Sequence, residues 1–166
     1  MLIFLKMGDF MGEIVVKCAE ANDWDAAIAV AWRTFQQVAS KVSGEEAVTI
    51  FREGLTSTQL YIEFLQGRFP LFCAYQDRKI VGMLALKGSS HISLFFVRKE
   101  FQGMGIGTRL LEMCRQYCSK QGVLNLTANA IATGMPFYVS QGFAVLEEEK
   151  MENGLRYTPM ILNIQR

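Results

Sequence analysis

Three glycines at alternating positions mark the segment Gln102-Gly-Met-Gly-Ile-Gly-Thr108. Such a segment does its chemistry through the backbone, because glycine permits sharp turns and lets amide N–H groups approach a ligand closely. It follows the β-branched and aromatic run His91–Val97 and opens an amphipathic stretch from Thr108 to Gln121. The first amides of a helix have no intrahelical partners and carry the positive end of its dipole, which suits them to phosphate. The competing reading is a strand-to-helix turn with no ligand. Two common phosphate loops do not fit. A P-loop needs a lysine directly after its last glycine, and none is present. In a dinucleotide fingerprint the third glycine comes one residue later than Gly107 and a carboxylate stands about 20 residues on, where Asn125 to Thr127 offer none.

Other reactive types are sparse. Cys18, Cys73, Cys114 and Cys118 match no paired metal-ligand spacing, so they are expected as reduced thiols and no metal site is expected. His91 is the only histidine. It begins the strand leading to the glycines, where an imidazole titrates in the range useful to a general base; a structural or solvated histidine is the plainer account.

These residues need elements to position them. Glu13–Cys18 reads as a strand, and Asp23 as the N-cap of a helix over 24–40 with Trp24, Ala27, Ile28, Ala31, Trp32 and Phe35 inward. Ser43 and Glu46 form a capping-box pattern for a second helix over 45–53, and a third covers 57–66. Leu71–Tyr75 and Lys79–Leu86 form a hairpin, followed by the strand His91–Val97. After the glycines come a helix over 108–121 capped by Gly122, a strand over 123–127 and a helix over 131–141. A strand over 143–149 and an Asn153-Gly154 hairpin into a strand over 155–162 close the order. The class is mixed α/β (α+β): a mostly antiparallel sheet of 6–7 strands with helices on both faces.

The 166 residues suit one domain over 11–166 with residues 1–10 as an N-terminal appendage. A net charge of +1 argues against nucleic acid or an anionic membrane as partner. No apolar run approaches bilayer length, and the cysteine usage fits a cytoplasmic protein.

Gln102, Gly105 and Gly107 satisfy the Arg/Gln-x-x-Gly-x-Gly/Ala pattern, and the segment resembles the acyl-CoA pyrophosphate loop of the GNAT superfamily of N-acetyltransferases. Phe137-Tyr138-Val-Ser-Gln-Gly142-Phe143 is similar to that family's Phe-Tyr-x-x-x-Gly-Phe helix end, and the likeness extends over about Ile14–Ile164. The resemblance implies an acetyl-CoA-dependent N-acetyltransferase in which an amine attacks the bound thioester directly. The strand before the loop would splay from its neighbour, with acetyl-CoA as co-substrate in the gap.

By the same likeness, Phe95, Phe96 and Val97 contact the pantetheine arm. Gln102 begins the loop, and the amides of Gly103, Met104, Gly105, Ile106, Gly107 and Thr108 hold the pyrophosphate. Asn129 touches the cofactor's arm and Tyr138 is the general acid, since a phenol of pKa about 10 keeps its proton at neutral pH and yields it to a leaving thiolate. For the base, relatives often place a carboxylate on a splayed strand. Ile92–Val97 and Val123–Thr127 contain none, which leaves His91 as the candidate, with Glu45, Glu46, Glu53 and Glu63 on the early helices behind it. Trp32, Phe35 and Tyr61 are candidates for lining the acceptor pocket, and core packing explains them equally. The acceptor is a small-molecule or peptide amine and a homodimer is possible. A CoA-binding sensor module with the same fold is the rival.

Overall fold

The computed structural model describes residues 12–38, 41 and 43–165. The proposed appendage over 1–10 and the last two residues of the first expected helix, 39 and 40, lie outside the described residues. The elements are β1 (Ile14–Cys18), α1 (Trp24–Val38), α2 (Glu45–Leu55), α3 (Thr58–Leu65), β2 (Leu71–Gln76), β3 (Lys79–Lys87) and β4 (His91–Val97). Then follow α4 (Ile106–Lys120), β5 (Asn125–Ala130), α5 (Met135–Ser140), β6 (Ala144–Val145), β7 (Lys150–Glu152) and β8 (Leu155–Asn163).

The strands form an eight-stranded sheet ordered β1-β2-β3-β4-β5-β8-β6, with β7 paired to β8. All pairings are antiparallel except β4 with β5. β2 and β3 are buried on both faces, as their nearly unbroken apolar runs require. Phe72, Val81 and Leu84 face α4 in one core; Leu71, Cys73 and Met83 face α1 in the other. The helices thus cover both faces.

Several boundaries differ from expectation, each for a physical reason. The strand expected over 123–127 runs instead to Ala130, because β8 pairs along it as far as Thr158. Asn129 therefore sits on a strand, and α5 is shorter than 131–141, starting at Met135. The strand expected over 143–149 shrinks to β6, and a separate short strand, β7, follows it at Lys150–Glu152. The Leu146 N–H donates to the Pro159 carbonyl at 2.8 Å. A strand residue's N–H and C=O point to the same side, so proline has no N–H to return and the ladder stops there.

Ser43 does not cap α2. Gly44 takes the N-cap position without a side-chain bond, and the Ser43 hydroxyl is buried without a hydrogen-bond partner among the described residues. Asp23 ends a 3₁₀ turn; its carboxylate accepts from the Glu20 N–H and the Tyr75 hydroxyl, each at 2.8 Å. α4 begins two residues earlier than expected and ends as expected at Gly122, with the Val123 N–H reaching back to Cys118. α1 is rotated relative to its expected face: Val30 and Thr34 are buried, while Ile28 and Trp32 lie at the flank.

Candidate functional site

The parallel contact between β4 and β5 is brief. His91 pairs with Thr127 and Ile92 with Ala128, and then the strands part. Ser93 is skipped in the register between β3 and β4, since Ala85 faces Leu94 and Leu86 faces Ile92. This bulge bends β4 away from β5. Two clefts open at the parting.

The first cleft, of about 520 Å³, lies between the glycine loop and α5. Its walls include Phe95, Val97, Gln102, Gly103, Gly105, Ile106, Gly107, Thr108, Phe137 and Tyr138. Gly103 and Gly105 have φ of +77° and +79°, the left-handed region where glycine is preferred. This geometry lays the loop across the start of α4. The amides from Gly103 to Thr108 have no backbone acceptor among the described residues; the first intrahelical bond runs from Arg109 to Gly105. Gln102 braces the loop by donating from Nε2 to the Val97 carbonyl at 2.9 Å. Gly107 packs closely: a Cβ there would stand 3.2 Å from the Phe137 ring, which would have to give by a few tenths of an ångström. Gln141 donates to Thr108 Oγ1 at 3.1 Å and ties α5 to the start of α4. Unpaired amides on a helix N-terminus make an anion site.

The second cleft, of about 450 Å³, opens on the other side of the parting, between α1, α2 and the start of β8. Phe95, Val97, Gln102, Gly134 and Tyr138 line both clefts, so the two meet at the gap. Tyr138 stands at the junction with its ring edge-on to Phe95 and Phe143, at centroid distances of 6.2 and 5.1 Å. Burial, assisted by nearby Cys114, pushes its phenol well above the ordinary tyrosine range. It therefore holds its proton at neutral pH.

Phe96 and Asn129 line the second cleft alone, while Phe95 and Val97 serve both. Met104 lines neither cleft, and its side chain is exposed. His91 is not brought into either cleft. It sits at the paired end of β4, with Nδ1 2.9 Å from Thr127 Oγ1, and burial together with Lys87 lowers its pKa. Of the aromatic candidates Phe35 lines the second cleft, whereas Trp32 packs beside it and Tyr61 packs on Trp24.

Thr34, Phe51, Ser93 and Leu155 also line that cleft and carry no recognisable motif. Only Thr34 leaves a trace, as a polar residue three positions after buried Ala31 on the inward face of a helix. No group of three or more His, Cys, Asp or Glu suited to a metal occurs among the described residues. Nor is any helix among them long and apolar enough to cross a membrane.

Comparison with known proteins follows the same lines. The sequence model of the acetyltransferase (GNAT) domain matches residues 38–164. No curated protein matches the chain. Among solved structures, the chain is similar to a GCN5-related N-acetyltransferase from Rhodopseudomonas palustris, with 21% identity and a TM-score of 0.78 over 92% of this chain and 97% of that one. It is similar to the PaiA N-acetyltransferase from Thermoplasma acidophilum, solved with coenzyme A, at 19% identity and TM-score 0.75 over 91% and 99%. YncA from Salmonella typhimurium, solved with acetyl-CoA, gives 17% identity and TM-score 0.69 over 93% and 96%.

Proposed function

The chain belongs to the GNAT acetyltransferase family, and from that premise we propose that it transfers the acetyl group of acetyl-CoA to a primary amine, with both substrates bound at once. The meeting of the two clefts at Tyr138 carries this reading. The first cleft fits a CoA pyrophosphate because it offers a row of unpaired amides on a helix N-terminus. Acetyl-CoA supplies an activated acyl group as a thioester.

The residues then take distinct roles. The amides of Gly103, Met104, Gly105, Ile106, Gly107 and Thr108 hold the anion, and Gln102 fixes the loop to β4. Phe95, Phe96 and Val97 present the free edge of β4 to the pantetheine arm, with Asn129 opposite. The amine, held in the second cleft, forms the N–C bond as the C–S bond breaks. Tyr138 gives its proton to the departing sulfur, the surplus proton on nitrogen leaves to water, and the phenolate takes a proton back from water to restore the phenol. Proximity and orientation supply much of the rate. His91 has no part in this scheme, being bonded to Thr127 away from the gap.

The test is calorimetric titration of the full chain with acetyl-CoA, followed by free-thiol release on adding amines. Micromolar binding and amine-dependent release are expected. Binding without release from any amine would favour a CoA sensor with this fold. The sensor reading has its own support, since no carboxylate or imidazole lines the second cleft among the described residues. No binding by a folded sample would overturn both.

A further inference from the structure

Thr34 is an anomaly of the buried face of α1. It is 4% exposed, and its Oγ1 has no hydrogen-bond partner among the described residues. A helical threonine ordinarily returns its hydroxyl to a carbonyl one turn back, and a buried hydroxyl left unpaired is costly. This one lines the second cleft. Around it the cleft is aromatic: Phe35 stacks on Phe51 with centroids 3.9 Å apart, and Phe51 meets Phe96 edge-on at 5.9 Å.

None of the charged side chains of the surrounding elements lines the cleft among the described residues. Arg52 lies over the Trp32 ring, Gln59 donates to Glu63, Arg156 meets Glu149, and Lys87 lines a neighbouring groove with Glu63. Tyr138 is the only titratable lining residue among those described, and burial keeps it neutral.

Resting on the acetyltransfer reading above, we propose that Thr34 positions the acceptor and that the acceptor is a weakly basic amine on an aromatic or branched apolar body. An ammonium group entering this cleft leaves water without gaining a counter-charge, whereas a neutral amine loses little. An α-amino group of pKa 7.7–8.0 is neutral in roughly a tenth of molecules at pH 7, and an alkylamine of pKa about 10.4 in about one in 2,500. The cleft therefore selects the first over the second by up to about 300-fold. The Thr34 hydroxyl donates to a carbonyl beside the amine, as in an amino-acid amide or a peptide N-terminus.

Three probes separate these terms: phenylalanine amide, 2-phenylethylamine and glycinamide, followed by thiol release with saturating acetyl-CoA. At pH 7 phenylalanine amide is expected to exceed both others in kcat/KM by at least about tenfold, and the gap to phenylethylamine should narrow as pH rises towards 10. A dipeptide amide beginning with phenylalanine distinguishes a peptide N-terminus from a free small amine as the source. Thr34→Val should raise KM for phenylalanine amide about tenfold. It should leave acetyl-CoA affinity unchanged and thermal stability equal or higher, and Thr34→Ser should restore KM. A purely structural threonine would instead give a less stable Thr34→Val with normal KM. Equal turnover of phenylethylamine or glycinamide at pH 7, or none of the three probes reacting while acetyl-CoA binds, overturns the acceptor assignment but not coenzyme binding. Failure to bind acetyl-CoA overturns the acetyltransfer reading itself.

Discussion

The two clefts that meet at Tyr138 are built from different material. The first is made mainly of backbone: a short contiguous stretch of glycines turns the chain and aims amides that any sequence of this geometry would present. The second is made of side chains gathered from α1, α2, β4, β5 and β8, together with the Gln102 and Tyr138 that it shares with the first. A backbone site constrains residue type severely, since Gly103 and Gly105 hold a positive φ, where glycine is preferred. A side-chain site constrains only shape and polarity. The first should therefore be unforgiving of substitution and blind to the acceptor, and the second tolerant of substitution and selective for it.

Gly105→Val puts this contrast under the greatest strain. It forces a β-branched residue into the left-handed region and turns the amides away. Acetyl-CoA affinity should fall roughly 10³-fold, the loss of about two or three hydrogen bonds to a charged group. Calorimetry on a sample with a cooperative thermal transition checks this; retained binding would show that the loop is only a turn.

Tyr138→Phe acts at the junction, so it should separate chemistry from binding. A drop in kcat of about 10²-fold with acetyl-CoA affinity within about twofold is expected from steady-state kinetics and titration. Equal kcat would remove the phenol from the mechanism.

Phe51→Leu belongs to the second cleft. It should raise acceptor KM by about fivefold and cost about 1 kcal/mol in urea unfolding, with coenzyme affinity unchanged. A change in acetyl-CoA affinity instead would mean that the two clefts are not separable.

The smallest effect comes from His91, which lines neither cleft. Its folded pKa lies below the unfolded value near 6.5. Its contribution to stability is thus complete above that value and is lost as pH falls through the folded pKa, because the unfolded chain then binds the extra proton. Urea midpoints between pH 7.5 and 5 should show this decline, and His91→Gln should flatten it while leaving kcat at pH 7 unchanged.

The same contrast explains what was legible beforehand. The glycine loop, the Phe137-Tyr138 helix and the Asn153-Gly154 hairpin are local, and local backbone demands leave residue signatures. The hairpin turn shows φ of +52° and +79° at those two residues, as such a turn requires. The inward face of α1 is hidden from the sequence because Thr34 breaks an apolar period that Trp32 and Ile28 complete equally well. The reach of β5 and the brevity of β6 depend on pairing with β8, where Pro159 ends one ladder while Asn129 continues the other. Such information lies in residues about 15 to 30 positions away, beyond any local pattern.

The place of β8 has a consequence for how the molecule assembles. The strands up to β4 form a meander of sequential neighbours, complete once residue 97 has been made. β5 has no such neighbour: two residue pairs join it to β4, and its long partner is β8, near the end of the described chain. During synthesis the first half of the sheet has its partners while β5 waits for residues 155–163 to emerge. Both clefts need β5 or the elements it anchors. The gap where the two clefts meet is thus completed only after residues 155–163 have left the ribosome.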